Sequence, residues 1–340
     1  MPSNEDRAVA KRGGGPRTGV TASADTWSSP LYLHVGMPKT ATSTLQQIYF
    51  ARHPEIDYHA LARKGGPYPK GGPFDAFVHW VRNSPDLETE REGHRAYLRS
   101  EIDAAGNGTH CRLISEERFT GHFGAGLQAK AALAHDLFPE ARILLTIRHP
   151  VGHLVSNYLQ HLKYQRAGQP PLPAFDTWVR RTLAQADDPL SYAQTLRVND
   201  LVQTYERKFG PDKVLVLVYE EFRESPERFL ARLSDWLGVE EATFLRLHHN
   251  RHTVRNPAPT RPEFVFWYLR QRWVNRGPSR VGAVLTKASQ LGHRIDWRPA
   301  VRPSPESRAL IERFTAPQYR ALSQERGLGL EDYGYPGFAR

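Results

Sequence analysis

Four short apolar runs stand out from an otherwise polar chain: Leu31–Gly36 (LYLHVG), Arg112–Ser115 (RLIS), Arg142–Ile147 (RILLTI) and Lys213–Tyr219 (KVLVLVY). The last two are apolar almost throughout, as expected of strands buried on both faces of a parallel sheet. Between the runs the periodicity changes to helical. A helix is predicted through Leu45, Ile48 and Tyr49, followed by a Gly/Pro-rich loop at 64–73 and helices at Phe74–Val81 and Leu87–Ala105. Another runs from Val151 to about Lys163, with Leu154, Val155, Tyr158, Leu159 and Leu162 on one face, until Pro170-Pro171-Leu172-Pro173 ends it. Helices over 174–186 and 189–209 precede the fourth strand. Ser225-Pro226-Glu227 then opens a further helix with a buried face of Phe229, Leu230, Leu233, Trp236 and Leu237. An Arg/Asn/Pro loop at 250–262 leads into amphipathic segments rich in Trp and Arg, and there is no internal repeat. Strands alternating with helices predict an α/β fold.

Length and charge narrow this picture. The chain has 340 residues, which suits one α/β core with helical additions. The expected organisation is a disordered polar tail at 1–28, a core at 29–250, and a C-terminal loop and helices at 251–340 that complete the same domain. A formal net charge of +10 favours anionic partners. The Lys and Arg residues are scattered, without the block or stripe that tracks a nucleic-acid backbone, so nucleic acid is not an expected partner. Cys111 is the only cysteine. No intrachain disulfide or cysteine-based zinc site can form, and its place at the start of a buried strand predicts a core thiol. The tail lacks an apolar signal segment, and no later run approaches the length of a spanning helix. The expectation is a cytoplasmic protein without integral membrane association.

The most informative stretch is Leu33-His-Val-Gly36-Met-Pro38-Lys39-Thr40-Ala41-Thr42-Ser43-Thr44-Leu-Gln46. A strand ends at Gly36, a turn carries Lys39, and a run of hydroxyls opens a helix. Backbone N–H groups, a cation and hydroxyl donors at a helix start are suited to a phosphate. The G-x-x-x-x-G-K-[ST] spacing of a P-loop is absent, because Lys39 precedes the hydroxyls. A second stretch, Arg142-Ile-Leu-Leu-Thr-Ile-Arg148-His149-Pro150 through Ser156 and Tyr158, puts an Arg at a strand end and a Ser eight positions later. About two helical turns return Ser156 to the side of the strand end, where both can grip one anion. The guanidinium can do so bidentately.

The first stretch resembles the 5′-phosphosulfate loop of sulfotransferases that use 3′-phosphoadenosine 5′-phosphosulfate (PAPS), whose pattern is P-K-[TS]-G-T-[TS]. The second resembles their 3′-phosphate motif, R-[DN]-P-x-x-x-x-x-S-x-Y. The resemblance implies that Pro38, Lys39, Thr40, Ala41, Thr42, Ser43 and Thr44 cradle the 5′ end of PAPS while Arg148 and Ser156 bind its 3′-phosphate. Arg251 and Arg255 occupy a loop where family members supply further 3′-phosphate contacts. Ala41 stands in place of the usual glycine, which the loop accommodates if that position has φ < 0; at φ > 0 the methyl costs about 1 kcal/mol or more. His149 replaces the commoner Asp or Asn. Val218-Tyr219-Glu220-Glu221-Phe222 and the helix after it extend the likeness to about residue 240.

Sulfuryl transfer needs a cation at the leaving phosphate and a base at the acceptor hydroxyl. Lys39 fits the first role. For the second, Leu113-Ile-Ser115-Glu116-Glu117-Arg118-Phe119 resembles a segment of bacterial, carbohydrate/heparan-type members and nominates Glu117. A carboxylate there can equally pair with Arg118 or cap a helix; His79 and His59 are the alternative bases, and His34 is expected to pack in its strand. The implied fold is α/β, with a P-loop-like, mostly parallel sheet flanked by helices on both faces and helical C-terminal additions. The implied reaction moves a sulfuryl group from PAPS, the co-substrate, to a hydroxyl or amine of a carbohydrate or small-molecule acceptor, and no metal is implied. A P-loop-like nucleotide kinase or NTPase is the main alternative, and a non-catalytic nucleotide-binding module the other. Trp267, Tyr268 and Trp273 are able to stack on a sugar or to pack a core.

Overall fold

The computed structural model describes residues 30–60, 72–104, 110–121, 124–164, 170–250 and 301–338. The predicted tail at 1–28, most of the Gly/Pro loop, and Arg251, Arg255, Trp267, Tyr268 and Trp273 lie outside the described residues. Five strands, β1 (Leu31–His34), β2 (Ile56–Ala60), β3 (Cys111–Ser115), β4 (Arg142–Ile147) and β5 (Val214–Val218), form one sheet in the order β2-β3-β1-β4-β5. Every neighbouring pair is parallel. The sequence pattern gives four of these strands. β2, the edge strand, mixes Ile56 and Tyr58 with Asp57 and His59, and so carries no apolar run.

Alternation along the strands divides the core in two. Leu31 and Leu33, Ile143, Leu145 and Ile147, and Val214, Val216 and Val218 point to one face. There they meet α2 (Pro73–Asn83), α4 (Leu127–Leu137), α7 (Val198–Phe209) and the C-terminal helix α11 (Pro305–Arg326). Tyr32, Leu113, Leu144 and Leu217 point to the other. They are covered by the segment after β1, α9 (Pro226–Leu237) and α10 (Glu241–His249). Helices on both faces explain why β5 is apolar throughout and β4 at every residue but Arg142 and Thr146. A third apolar cluster joins α5 (Pro150–Tyr164) and α6 (Phe175–Ala184) to Ile311 of α11. The remaining helices are α1 (Thr42–Thr44), α3 (Arg91–Ala104) and α8 (Tyr219–Glu224).

The segment after β1 is less regular than the predicted helix. α1 runs directly into a π-helical turn at Leu45–Tyr49 and a 3-10 turn at Phe50–Arg52. Leu45, Ile48 and Tyr49 are buried as expected. Widened turns of this kind often mark functional sites. The predicted helix at 189–209 is likewise split, into a 3-10 turn at Tyr192–Leu196 and α7. Among the described residues, no helix is long and apolar enough to cross a membrane.

Candidate active site

The carboxyl ends of β1, β3 and β4 lie side by side at the centre of the sheet, where the strand order reverses direction. Ligands of open α/β sheets bind outside strand ends at such a point. The chain leaves β1 while still bonded to β4, with Val35 N–H donating to Leu144 O at 2.9 Å and Met37 N–H to Thr146 O at 3.1 Å. The Thr40 hydroxyl donates to Met37 O at 2.6 Å and meets the buried Thr146 hydroxyl at 2.6 Å. Gly36 is required by close approach: a Cβ there falls 2.3 Å from Thr146 Oγ1 and 2.5 Å from His34 Nε2. His34 is packed in its strand as expected, with Nδ1 2.8 Å from Ser115 Oγ. Burial pushes its pKa down to about 3, so the ring is neutral.

Two non-glycine residues of this loop have left-handed backbones, Lys39 at φ 71° and Ala41 at φ 65°. The condition under which Ala41 was expected to replace glycine freely, φ < 0, is therefore not met. The left-handed turn aims the Ala41 carbonyl at the start of the helix, where it accepts from Thr44 N–H at 2.8 Å and Leu45 N–H at 3.0 Å. The methyl is carried at a cost of about 1–2 kcal/mol.

β3 brings the acidic pair to this loop. Glu117 Oε2 accepts from the Thr42 hydroxyl at 3.0 Å. The capping role open to Glu117 belongs instead to Glu116, which accepts from Arg118 N–H at 2.9 Å. Glu116 is only 2% exposed, and burial, then the charge of Glu117, raises its pKa to about 7. Arg82 and the fully buried Lys130 share its electrostatic surroundings. Burial lowers the pKa of Lys39; Glu117 opposes that shift, and Arg148 and Lys163 add to it. Lys39 is thus a partly desolvated cation beside a carboxylate.

Arg148 follows β4 and reaches back to the loop, its Nη1 donating to Lys39 O at 2.8 Å. Its guanidinium lies 4.4 Å from the centre of the Tyr219 ring at the start of α8, a cation–π contact. A Cβ on Gly152 falls 3.2 Å from Arg148 Nε. The face of α5 turned to Arg148 is therefore the one carrying Gly152, and Ser156, four residues on, shares it. Arg148 Nε is buried and has no hydrogen-bond partner.

His79 occupies an exposed position on α2. His59 is buried in β2 and bonded to Asp57 at 2.9 Å. Pro38, Thr42 and Thr44 are buried and Ser43 is half-buried in the loop. Three residues at the site escaped the sequence reading. Tyr219 lay within the stretch that extends the family likeness, but nothing in the sequence marked it as a partner of Arg148. Lys163 had a signal, because its spacing of seven from Ser156 returns it to the same face of α5. Tyr192 had none: it lies on the isolated 3-10 turn, its hydroxyl 2.7 Å from His153 Nε2, within the fields of Glu117 and Arg148. Among the described residues, no group of three His, Cys, Asp or Glu side chains is placed to hold a metal ion.

Comparison with known proteins bears on the whole of this region. A crystal structure of a sulfotransferase from Alicyclobacillus acidocaldarius is similar, with TM-score 0.54 and 16% identity, covering 90% of this chain and 99% of that one. Mouse sulfotransferase SULT7A1, crystallised with PAP, aligns with TM-score 0.46 and 12% identity over 89% of each chain. Sulfotransferase STF9 from Mycobacterium avium aligns with TM-score 0.42 and 14% identity over 82% of this chain and 79% of that one. At such identities the first likeness establishes the fold. No curated protein sequence matches significantly. The sequence model of the sulfotransferase family, however, matches residues 32–243, from β1 through the phosphate turn, the acidic pair and the Arg148 junction into α10, and by this match over more than half its length the chain belongs to the sulfotransferase family.

Proposed function

We propose that the chain transfers a sulfuryl group from PAPS to a hydroxyl or amine of a carbohydrate or small-molecule acceptor. The observation that carries this reading is the pairing of two cationic sites across one strand junction: the Lys39 loop, and an Arg148 guanidinium bonded to Lys39 O with its buried Nε unpartnered. A buried guanidinium N–H without an acceptor is costly unless a ligand supplies one. A nucleotide with phosphates at both 3′ and 5′ positions suits that arrangement; one with a 5′ chain alone leaves Arg148 unused. On this reading Thr40, Ala41, Thr42, Ser43 and Thr44 hold the 5′ end, and Arg148 with Ser156 the 3′-phosphate. Arg251 and Arg255, outside the described residues, remain proposed contacts of the 3′-phosphate. The described C-terminal residues, 301–338, belong on this reading to the same domain, in keeping with the packing of α11 on α5, α6 and α7.

When bound, PAPS supplies an activated sulfuryl group. The acceptor oxygen forms a bond to sulfur as the bond from sulfur to the bridging phosphate oxygen breaks. Glu117 takes the acceptor's proton, and Lys39 meets the negative charge left on the phosphate. The Thr42 hydroxyl holds Glu117 beside the loop. The buried thiol of Cys111 fits a reducing, cytoplasmic location. The kinase or NTPase alternative calls for an Asp after β4 to bind Mg²⁺, where this chain has Arg148-His149.

Calorimetry with adenosine 3′,5′-bisphosphate, ATP and adenosine 5′-phosphate tests the reading. The bisphosphate is expected to bind at least tenfold more tightly, since charge-assisted hydrogen bonds contribute about 1.5–3 kcal/mol each. ATP binding equally or better would favour the kinase alternative.

A further inference from the structure

The residue after Arg148 departs from the pattern of the family, and its surroundings give the departure a consequence. His149 precedes α5 and caps it: its Nδ1 accepts from Val151 N–H at 3.3 Å, the bond that a short Asp or Asn side chain makes at this position. A ring nitrogen that accepts a backbone N–H carries no proton, so the proton resides on Nε2. Nε2 lies 3.0 Å from Gly334 O, which can only accept. Both nitrogens of a neutral imidazole are thereby used. Asp has no donor to offer Gly334, and Asn is too short to reach both partners.

Gly334 belongs to the turn after α11, and that turn and α11 itself are bound to the Arg148 junction at further points. The Tyr319 hydroxyl donates to Arg148 O at 3.0 Å. Tyr335 donates to Glu220 Oε2 at 2.6 Å. Glu220 in turn accepts from His149 N–H at 3.2 and 3.3 Å. Arg148 C=O and His149 N–H are the two ends of one peptide unit. That unit is therefore held on one side by Tyr319 and on the other by Glu220 with Tyr335, and its plane fixes the direction in which the Arg148 side chain leaves the backbone. The Tyr335 ring packs edge-on against His149 at 5.1 Å and against Tyr319 at 4.9 Å between centroids. Both tyrosines are buried.

We propose that His149 is a positioning residue: its Nε2–H docks the C-terminal turn, and through Tyr319, Tyr335 and Glu220 that turn sets the pose in which Arg148 grips the 3′-phosphate. The inference rests on the reading that Arg148 binds such a phosphate. It makes the last 20 or so described residues part of the nucleotide site, although none of them touches the nucleotide in this account.

The test is calorimetric binding of adenosine 3′,5′-bisphosphate and adenosine 5′-phosphate to the full chain. His149→Asn keeps the cap and removes the tie to Gly334; Tyr335→Phe keeps the ring and removes the bond to Glu220. Each is expected to weaken the bisphosphate about three- to tenfold, the scale of one hydrogen bond, with the 5′-phosphate unchanged. Adding His149→Asn to Arg148→Lys should then cost nothing more. Equal losses for both nucleotides would overturn the proposal in favour of a merely structural role, as would full retention of the preference in both variants. If His149→Asn does not fold, Tyr335→Phe decides by the same ratio. A parent chain with no preference for the bisphosphate would remove the nucleotide reading itself, a result distinct from a preference that the variants leave intact.

Discussion

The junctions after β1 and after β4 both face the site and are built on opposite principles. After β1 the backbone carries the geometry: Lys39 and Ala41 sit in left-handed conformations, and threonine hydroxyls brace the turn from inside. After β4 no described residue up to α5 has positive φ; a side chain is aimed by buried hydrogen bonds from a distant part of the chain. A loop that presents main-chain donors to an anion must bend sharply, and it stores strain to do so. A guanidinium site needs only a direction for one side chain, which a fixed peptide plane supplies. The two junctions should therefore respond differently to substitution.

The largest effects belong to the chemistry of Lys39 on the strained junction and of Glu117, which β3 sets beside it. Glu117→Gln retains the size of the side chain and an acceptor for the Thr42 hydroxyl, but cannot take a proton. Transfer of labelled sulfate from PAPS to a responsive acceptor should fall by about 10² to 10⁴, with bisphosphate affinity near that of the parent. Lys39→Ala should lower the rate by about 10² to 10³ beyond any loss of binding. His79→Ala, on the exposed face of α2, should leave turnover intact. Full activity in Glu117→Gln together with loss in His79→Ala would transfer the base to the histidine.

Adding a methyl at each junction sharpens the contrast. Gly36→Ala drives a Cβ to 2.3 Å from Thr146 Oγ1 and 2.5 Å from His34 Nε2, groups locked in the sheet. Destabilisation of about 1–3 kcal/mol is expected from thermal or urea unfolding. For Gly152→Ala the nearest atoms belong to the guanidinium of Arg148, the first at 3.2 Å, and that flexible side-chain end can yield by a few tenths of an ångström. A gain in helix propensity of up to about 1 kcal/mol opposes the crowding. Stability should hold while bisphosphate affinity falls modestly. Equal destabilisation by the two substitutions would mean that the Arg148 junction is as rigid as the loop.

The extent to which the site was legible follows the same division. Lys39, the threonines, Arg148 and Ser156 are local in sequence to a strand end and a helix start, and short-range pattern singles them out as candidates. The sheet was legible where strands are apolar on both faces, and β2 was missed because an edge strand with Asp57 and His59 has no such run. The sign of φ at Ala41 was not legible, since composition does not say which way a turn bends. Tyr219, Tyr319 and Tyr335 reach the site through tertiary packing from about 70 or more positions beyond Arg148, and Tyr192 reaches it from an isolated 3-10 turn. No periodicity encodes such contacts. His149 was visible as an unusual residue, but its use depends on a carbonyl 185 positions away.

The smallest effect bears most directly on the strain itself. Ala41 at φ 65° carries a left-handed penalty of about 1–2 kcal/mol, which glycine does not. Glycine also has the more disordered unfolded chain, which offsets about 0.4–1 kcal/mol of the gain. Ala41→Gly should therefore stabilise the protein by about 0.5–1 kcal/mol, seen as a rise in Tm of about 1–3 °C. Bisphosphate affinity separates two accounts of the loop. If the free and bound loops share the left-handed turn, the penalty is present in both states and cancels from binding, so affinity stays the same while Tm rises. If the free loop relaxes and takes up the turn only around the anion, the penalty falls on the binding step; Ala41→Gly would then bind more tightly by severalfold with little change in Tm. The bonds of Thr40, Thr42 and the Ala41 carbonyl already brace the left-handed turn from within the chain, which predicts the first outcome. Unchanged Tm and unchanged affinity together would mean that Ala41 is not held at positive φ, and the contrast between a strained junction and an aimed one would fail at its first member.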